Sequence, residues 1–349
     1  MHRFGSAAIP LFALSWMAAA AASPETGGSL ARWNVGGNGG WDYLTLDAPT
    51  HRLFVTRSDR VMVLDTRDGS VAGTIPDTDG VHGVAIDRDG GHGFASNGRG
   101  NSVTRFDLKS LKVEGVFPVS GTNPDAIVFD KPSGEVWTFN GKSHDATALK
   151  SDSGKVVATV ALDGKPEFAV SDGQGRIFVN DEDHATIKVI DVAGHRVSAT
   201  WKLDDCESPS GLALDDASHR LFSVCANGHM AVTDATDGRH VATVPIGLGP
   251  DGVVYDAGFH RVYSSNGKDG TLTVVHERDP EHFDVEAAIP TQRSARTIAL
   301  DPTDHRVYLA AAMFDPAPVQ PGQRPAMVAG SFSILVVSPK PPDTHAPRS

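Results

Sequence analysis

Short apolar runs recur along this chain, each closed by an aspartate and followed by a turn and a second apolar run. The first runs read Tyr43-Leu-Thr-Leu-Asp47, Gly83-Val-Ala-Ile-Asp87, Ala126-Ile-Val-Phe-Asp130, Phe168-Ala-Val-Ser-Asp172, Gly211-Leu-Ala-Leu-Asp215, Gly252-Val-Val-Tyr-Asp256 and Thr297-Ile-Ala-Leu-Asp301. Their aspartates lie 40 to 45 residues apart. The second runs centre on Phe54, Phe94, Trp137, Phe178, Phe222, Tyr263 and Tyr308. Third runs such as Val61-Met-Val-Leu-Asp65 and fourth runs such as Val156-Val-Ala-Thr-Val160 complete each unit. Strand-length runs with turn signals between them, repeated at this period, predict an all-β chain: a seven-bladed β-propeller of four-stranded blades over residues 28–338. No helical period competes with it.

The seventh unit stops after its third run, Phe332–Val337, whereas Leu30–Val35, ahead of the first unit, has the character of a fourth. The N-terminal strand is therefore expected to complete the last blade, closing the ring and leaving no open sheet edge. The proline-rich segment 339–349 is expected to be a disordered tail.

Residues 1–22 read as a secretory signal peptide: Arg3, an apolar stretch from Ala7 to about Ala19, then Ala20-Ala21-Ala22. Cleavage near Ala22 predicts a periplasmic or secreted protein, with no later segment suited to membrane insertion. Thirty-one Lys and Arg against 43 Asp and Glu give −12, or −13 once Arg3 is removed, so a polyanion such as nucleic acid is repelled. Two cysteines exclude a disulfide-framework scaffold and a cysteine-rich zinc module.

The second runs end Phe-Val-Thr-Arg57, Phe-Ala-Ser-Asn97, Trp-Thr-Phe-Asn140, Phe-Val-Asn-Asp181, Phe-Ser-Val-Cys225, Tyr-Ser-Ser-Asn266 and Tyr-Leu-Ala-Ala311. These resemble the Tyr-Val-Thr-Asn signature of the YVTN-repeat, YncE-like β-propellers over essentially all of residues 28–338. The resemblance implies the architecture and, from some members, a periplasmic location. Activity does not follow from it, because propellers host binders, lyases, lactonases and dehydrogenases alike.

In a propeller blade the innermost strand begins at the face where the second strand ends. Counting five residues back from each aspartate gives Asp42, His82, Asp125, Glu167, Ser210, Asp251 and Arg296, a polar ring at one channel mouth. Arg57, Asn97, Asn140 and Asn266 are expected slightly outside it. An acidic ring of this kind suits a small molecule or peptide, with Arg57 and Arg296 able to pair a carboxylate on the same ligand. Asp125, Glu167 and Asp251 are candidates to hold a divalent cation, calcium or zinc, through oxygen ligands. His82 is the candidate acid–base group. The expected function is an exported binding propeller, present as a monomer; the alternative is a metal-assisted lactonase, hydrolase or lyase using the same face, which leaves enzyme status open.

His51, His219, His260 and His305 each follow a repeat aspartate by four residues and precede an arginine, which places them in turns on the opposite face. The repeat aspartates are expected to cap those turns. His144, His184 and His229 fall in ring-face loops without a common spacing. The longest departure from the repeat, Phe314–Gly330, belongs to the same face and is a candidate lid. Cys206 and Cys225 are expected to form a disulfide, since one enters the innermost strand of the fifth blade and the other ends its neighbour.

Overall fold

A computed structural model describes residues 28–316 and 325–342. Seven antiparallel four-stranded sheets follow one another, and their innermost strands meet in sequence around a central channel, the seventh touching the first. Six sheets are built from consecutive strands, such as Pro124–Asp130, Glu135–Asn140, Asp145–Lys150 and Val156–Ala161 in the third blade. The seventh combines Thr297–Leu300, Val307–Ala311 and Ser333–Pro339 with the N-terminal Gly28–Asn34, which pairs antiparallel from Gly28↔Pro339 to Asn34↔Ser333. The ring therefore closes through the N-terminal strand. That last sheet strand reaches Pro339, one residue beyond the expected domain edge, and the Lys340 carbonyl accepts a bond from Arg261. The signal segment 1–22 and residues 343–349 of the expected tail lie outside the described residues. Among those described, no helix is long and apolar enough to cross a membrane.

The core lies between blades rather than within one centre. The second-strand aromatics are fully buried, and apolar clusters join neighbours, as where Phe54, Val63 and Ile75 of the first blade meet Val84, Ala95 and Phe106 of the second. An outer-strand aromatic also locks onto the next blade at a glycine. Trp33 covers Gly69, Phe117 covers Gly154 and Trp201 covers Gly238; a Cβ at any of these would sit 2.1 to 2.3 Å from the ring. All three glycines have φ between 67° and 81°, so the turn favours glycine as much as the contact does.

Six of the seven repeat aspartates cap a turn amide, whereas Asp47 accepts from the Thr50 hydroxyl instead. Asp256 accepts from the Gly258 and Phe259 amides, and Asp130 accepts from the Ser133 amide and hydroxyl. His51, His219, His260 and His305 occupy the left-handed region, with φ from 51° to 63°, which explains their alignment as a turn position that histidine tolerates.

Candidate functional site

The ring positions owe their direction to a repeated irregularity. In blades two to six the innermost strand slips register beside them: between Val81 and Val84, Pro124 and Ile127, Pro166 and Ala169, Pro209 and Leu212, and Pro250 and Gly252. His82, Asp125, Glu167, Ser210 and Asp251 all sit in these bulges, which turn a side chain away from the regular pleat. Asp42 and Arg296 precede the strands Leu44–Asp47 and Thr297–Leu300 at the same level.

The structure brings five of the seven into one linked group. His82 Nδ1–H donates to Asp42 Oδ2 at 2.6 Å and lies 3.6 Å from Asp125 Oδ1. Arg296 is 3.3 Å from Asp251 and 4.0 Å from Asp42, and donates to the Trp41 carbonyl. Glu167 is bound by Lys165, which also binds Glu182. Ser210 stands apart, its hydroxyl donating to the Pro250 carbonyl.

Carboxylates outnumber cations here, and their proton affinities record it. Burial raises Asp251 to about 6; Arg296 opposes the shift, and Asp42 and Asp125 reinforce it. Asp125 is likewise raised, by burial first and by Asp42, against the pull of His82 and Lys165. Glu167 moves the same way through burial and Asp125, in spite of Lys165. Burial disfavours charge on His82, but the Asp42 hydrogen bond and the Asp125, Asp42 and Glu167 charges outweigh it and raise its pKa. The ring thus favours the protonated form of His82. The Nε2 edge of His82 lies beside Gly98, where a Cβ would come within 2.5 Å, so glycine leaves that edge uncrowded.

Beneath the ring, Tyr43 reaches across the channel from blade one to meet Phe168 of blade four edge-on, with centroids 5.2 Å apart. Burial and the surrounding carboxylates raise its phenol well above the usual value, so it remains a neutral donor. Trp41 forms part of the rim, packed on Phe332 and Phe314. The described ends of the 314–330 loop stand here too, joined by the Phe314↔Met327 bridge; residues 317–324 of the candidate lid lie outside the described residues.

The second-strand residues are placed differently. Arg57 is fully buried, donating to the carbonyls of Gly36, Asn38, Gly39 and Gly40 with its guanidinium 3.8 Å from the Phe332 ring. It holds the Gly-Asn-Gly-Gly loop rather than facing the channel. Asn97, Asn140 and Asn266 are also buried, bonded to Ser102 and Thr104, Asp145 and Thr147, and Thr271 and Thr273. Each closes the turn between strands two and three of its own blade. His184 pairs with Asp181, and His229 lies beside Asp205.

Among the described residues, Asp42, His82 and Asp125 form the group whose ligand atoms converge, within 4.8 Å of one another. Glu167 and Asp251, expected to share a cation with Asp125, are engaged with Lys165 and Arg296 instead. Counting back from the aspartates missed Lys165, Glu182, Tyr43 and Trp41. Lys165 was findable as a lone cation two residues before an acidic ring position. Cys206 and Cys225 are disulfide-bonded, with Cα atoms 5.3 Å apart, beside the Pro209↔Cys225 pair of blade five.

No protein-family model and no curated protein matches this sequence. Solved structures do match in shape. The chain superposes on Kuenenia stuttgartiensis hydrazine synthase at 14% identity with a TM-score of 0.69, covering 78% of this chain and 92% of that one. For U3-55K the values are 10% and 0.74, covering 88% and 98%, and for the RRP9 WD40 repeats 11% and 0.75, covering 90% and 99%. Likeness at such low identity concerns the fold alone, and it agrees with the sheet order: this chain is a β-propeller of seven four-stranded blades.

Proposed function

We propose that this chain is an exported, YncE-like binding propeller that takes a positively charged small molecule or peptide group at the acidic mouth of its channel. The observation that carries the reading is the surplus of carboxylates there: Asp42, Asp125, Glu167, Asp251 and Glu182 face His82, Arg296 and Lys165. A cationic ligand would neutralise charge that burial makes costly to maintain. Export is supported by the disulfide, which belongs to an oxidising compartment.

The metal-assisted lactonase, hydrolase or lyase reading rests on the convergence of Asp42, His82 and Asp125. Binding is favoured over catalysis because His82 Nδ1 is committed to the Asp42 carboxylate, and Glu167 and Asp251 are engaged with Lys165 and Arg296. The test is one calorimetric series with methylammonium, lysine and calcium or zinc chloride. It compares Asp42→Ala, Asp125→Ala, Glu167→Ala, Asp251→Ala and Arg296→Ala with His51→Ala and His305→Ala. Loss of methylammonium and lysine binding is expected in the four carboxylate variants alone, with Arg296→Ala retaining or strengthening it. Equal loss in both sets would refute the site, and stoichiometric metal in the purified protein, abolished by Asp125→Ala, would favour the enzyme.

A further inference from the structure

Within the channel lies a cavity of about 500 Å³. Its walls are inner-strand side chains, among them Leu46, Val170, Leu214, Val254 and Leu300, and no charged side chain lines it. That volume is in the range that holds small ligands, which are usually enclosed by apolar walls with a few polar groups at one end. Tyr43 stands between the cavity and the acidic mouth: it follows Asp42 in sequence, and its ring, in contact with Phe168 across the channel, lines the cavity. At the junction, the Oδ1 atom of Asp125 is buried without a hydrogen-bond partner, and His82 Nδ1 is 3.6 Å away. An acceptor left in that state is costly, and an N–H donor from above the cavity would satisfy it.

We infer that the ligand is an amphipathic ammonium ion, its head among Asp42, Asp125 and Asp251 and its apolar chain entering the cavity on the side of the Tyr43–Phe168 pair that faces blades five to seven. This rests on the reading that the acidic mouth binds a cation, and adds the class of molecule attached to the charge. The two ends divide the task. The carboxylates select an ammonium over a neutral or anionic head, since an anion would meet like charge in a low-dielectric mouth. The channel then selects by chain length, because each methylene leaving water for the apolar wall strengthens binding by a similar increment.

The probes are the n-alkylammonium chlorides from methyl to octyl, with octanol and octanoate, titrated calorimetrically into the full chain at pH 7.5. Affinity is expected to rise about fourfold per methylene until the chain fills the channel. Octanoate should not bind, and octanol should bind at least tenfold more weakly than octylammonium. Leu214→Trp and Val254→Trp, two separate ways to narrow the channel, should reduce the increment to less than twofold. Affinity that stays flat from methyl to octyl, while still abolished by Asp125→Ala, overturns the channel and leaves the acidic mouth standing. Equal binding of octanol and octylammonium overturns the ammonium head. Failure of every amine to bind removes both this inference and the reading beneath it.

Discussion

Arg57 and Asp251 are polar residues at one end of the propeller with opposite energetic roles. Arg57 stands where three other blades place asparagine, and its guanidinium satisfies four carbonyls of the loop that leads from the N-terminal strand into the first blade. Burial and the nearby Arg60 lower its pKa to about 10, so it stays charged at neutral pH. Arg57→Ala would strand those carbonyls and is expected to cost about 3–5 kcal/mol, read as a lowered denaturation midpoint with unchanged m-value. Asp251 works against the fold. Its folded pKa of about 6 exceeds the ordinary carboxylate value, so the native state binds the proton more tightly than the unfolded chain. Its contribution is fully present below the unfolded pKa near 4 and is lost as pH rises through 6. Asp251→Asn should therefore raise the melting temperature at pH 7.5 by about 2–6 °C, from a gain of about 2–3 kcal/mol that already includes the lost Arg296 pair. The gain should vanish by pH 4. A variant that melts lower at pH 7.5 would show that the Arg296 pair, not burial, governs this carboxylate. The same titration predicts that ammonium binding strengthens from pH 5 to pH 8 as the ring loses its protons.

At the scale of the strand, the bulge is what converts a repeat into a site. A regular pleat would send alternate side chains into the two blade interfaces, whereas the slip beside Pro124, Pro166, Pro209 and Pro250 releases the following residue toward the mouth. The disulfide fixes one of these entries. Cys206 and Cys225 are 19 residues apart and hold the segment leading into Pro209–Asp215. Reduction is expected to cost about 3 kcal/mol in the chain-entropy account, measured as a shift in denaturation midpoint between reduced and oxidised protein. An unchanged midpoint would make the bond energetically idle. The blades, the aspartate turns and the cysteine pair were legible in the sequence because each depends on contacts within one repeat. The ring positions were legible by counting, but their partners were not: Lys165 bridges Glu167 to Glu182 through loop geometry that no spacing encodes. The asparagines end a strand at the ring face, and position alone therefore points them toward the mouth. Their burial was nonetheless written in the chain, as a Ser, Thr or Asp five residues later and a Thr seven residues later: Ser102 and Thr104, Asp145 and Thr147, Thr271 and Thr273.

The ring as a whole depends on one seam, where the N-terminal strand meets the last blade. Gly28–Asn34 lies against Ser333–Pro339 over seven residue pairs, and Arg32 adds bonds to Ser333 and Gln292. The seam also reproduces the contact that joins other blades: Trp33 covers Gly69 of blade one as Phe117 covers Gly154 and Trp201 covers Gly238. The N-terminal strand therefore serves twice, as the outer strand of blade seven and as the lock on blade one. Removing residues 28–34 would strip a full hydrogen-bond ladder and expose Ser333–Pro339 as an apolar edge able to pair with another chain. That deletion is expected to lower the melting temperature by on the order of 10 °C and to promote self-association visible by light scattering. Trp33→Ala separates the two roles, since it keeps the ladder and loses only the lock. It should destabilise by about 2–3 kcal/mol, less than a fully buried tryptophan because Trp33 is half-buried, without creating an edge or aggregation. A deletion that melts within about 2 °C of the intact chain would mean that the propeller does not need this strand to hold its ring shut.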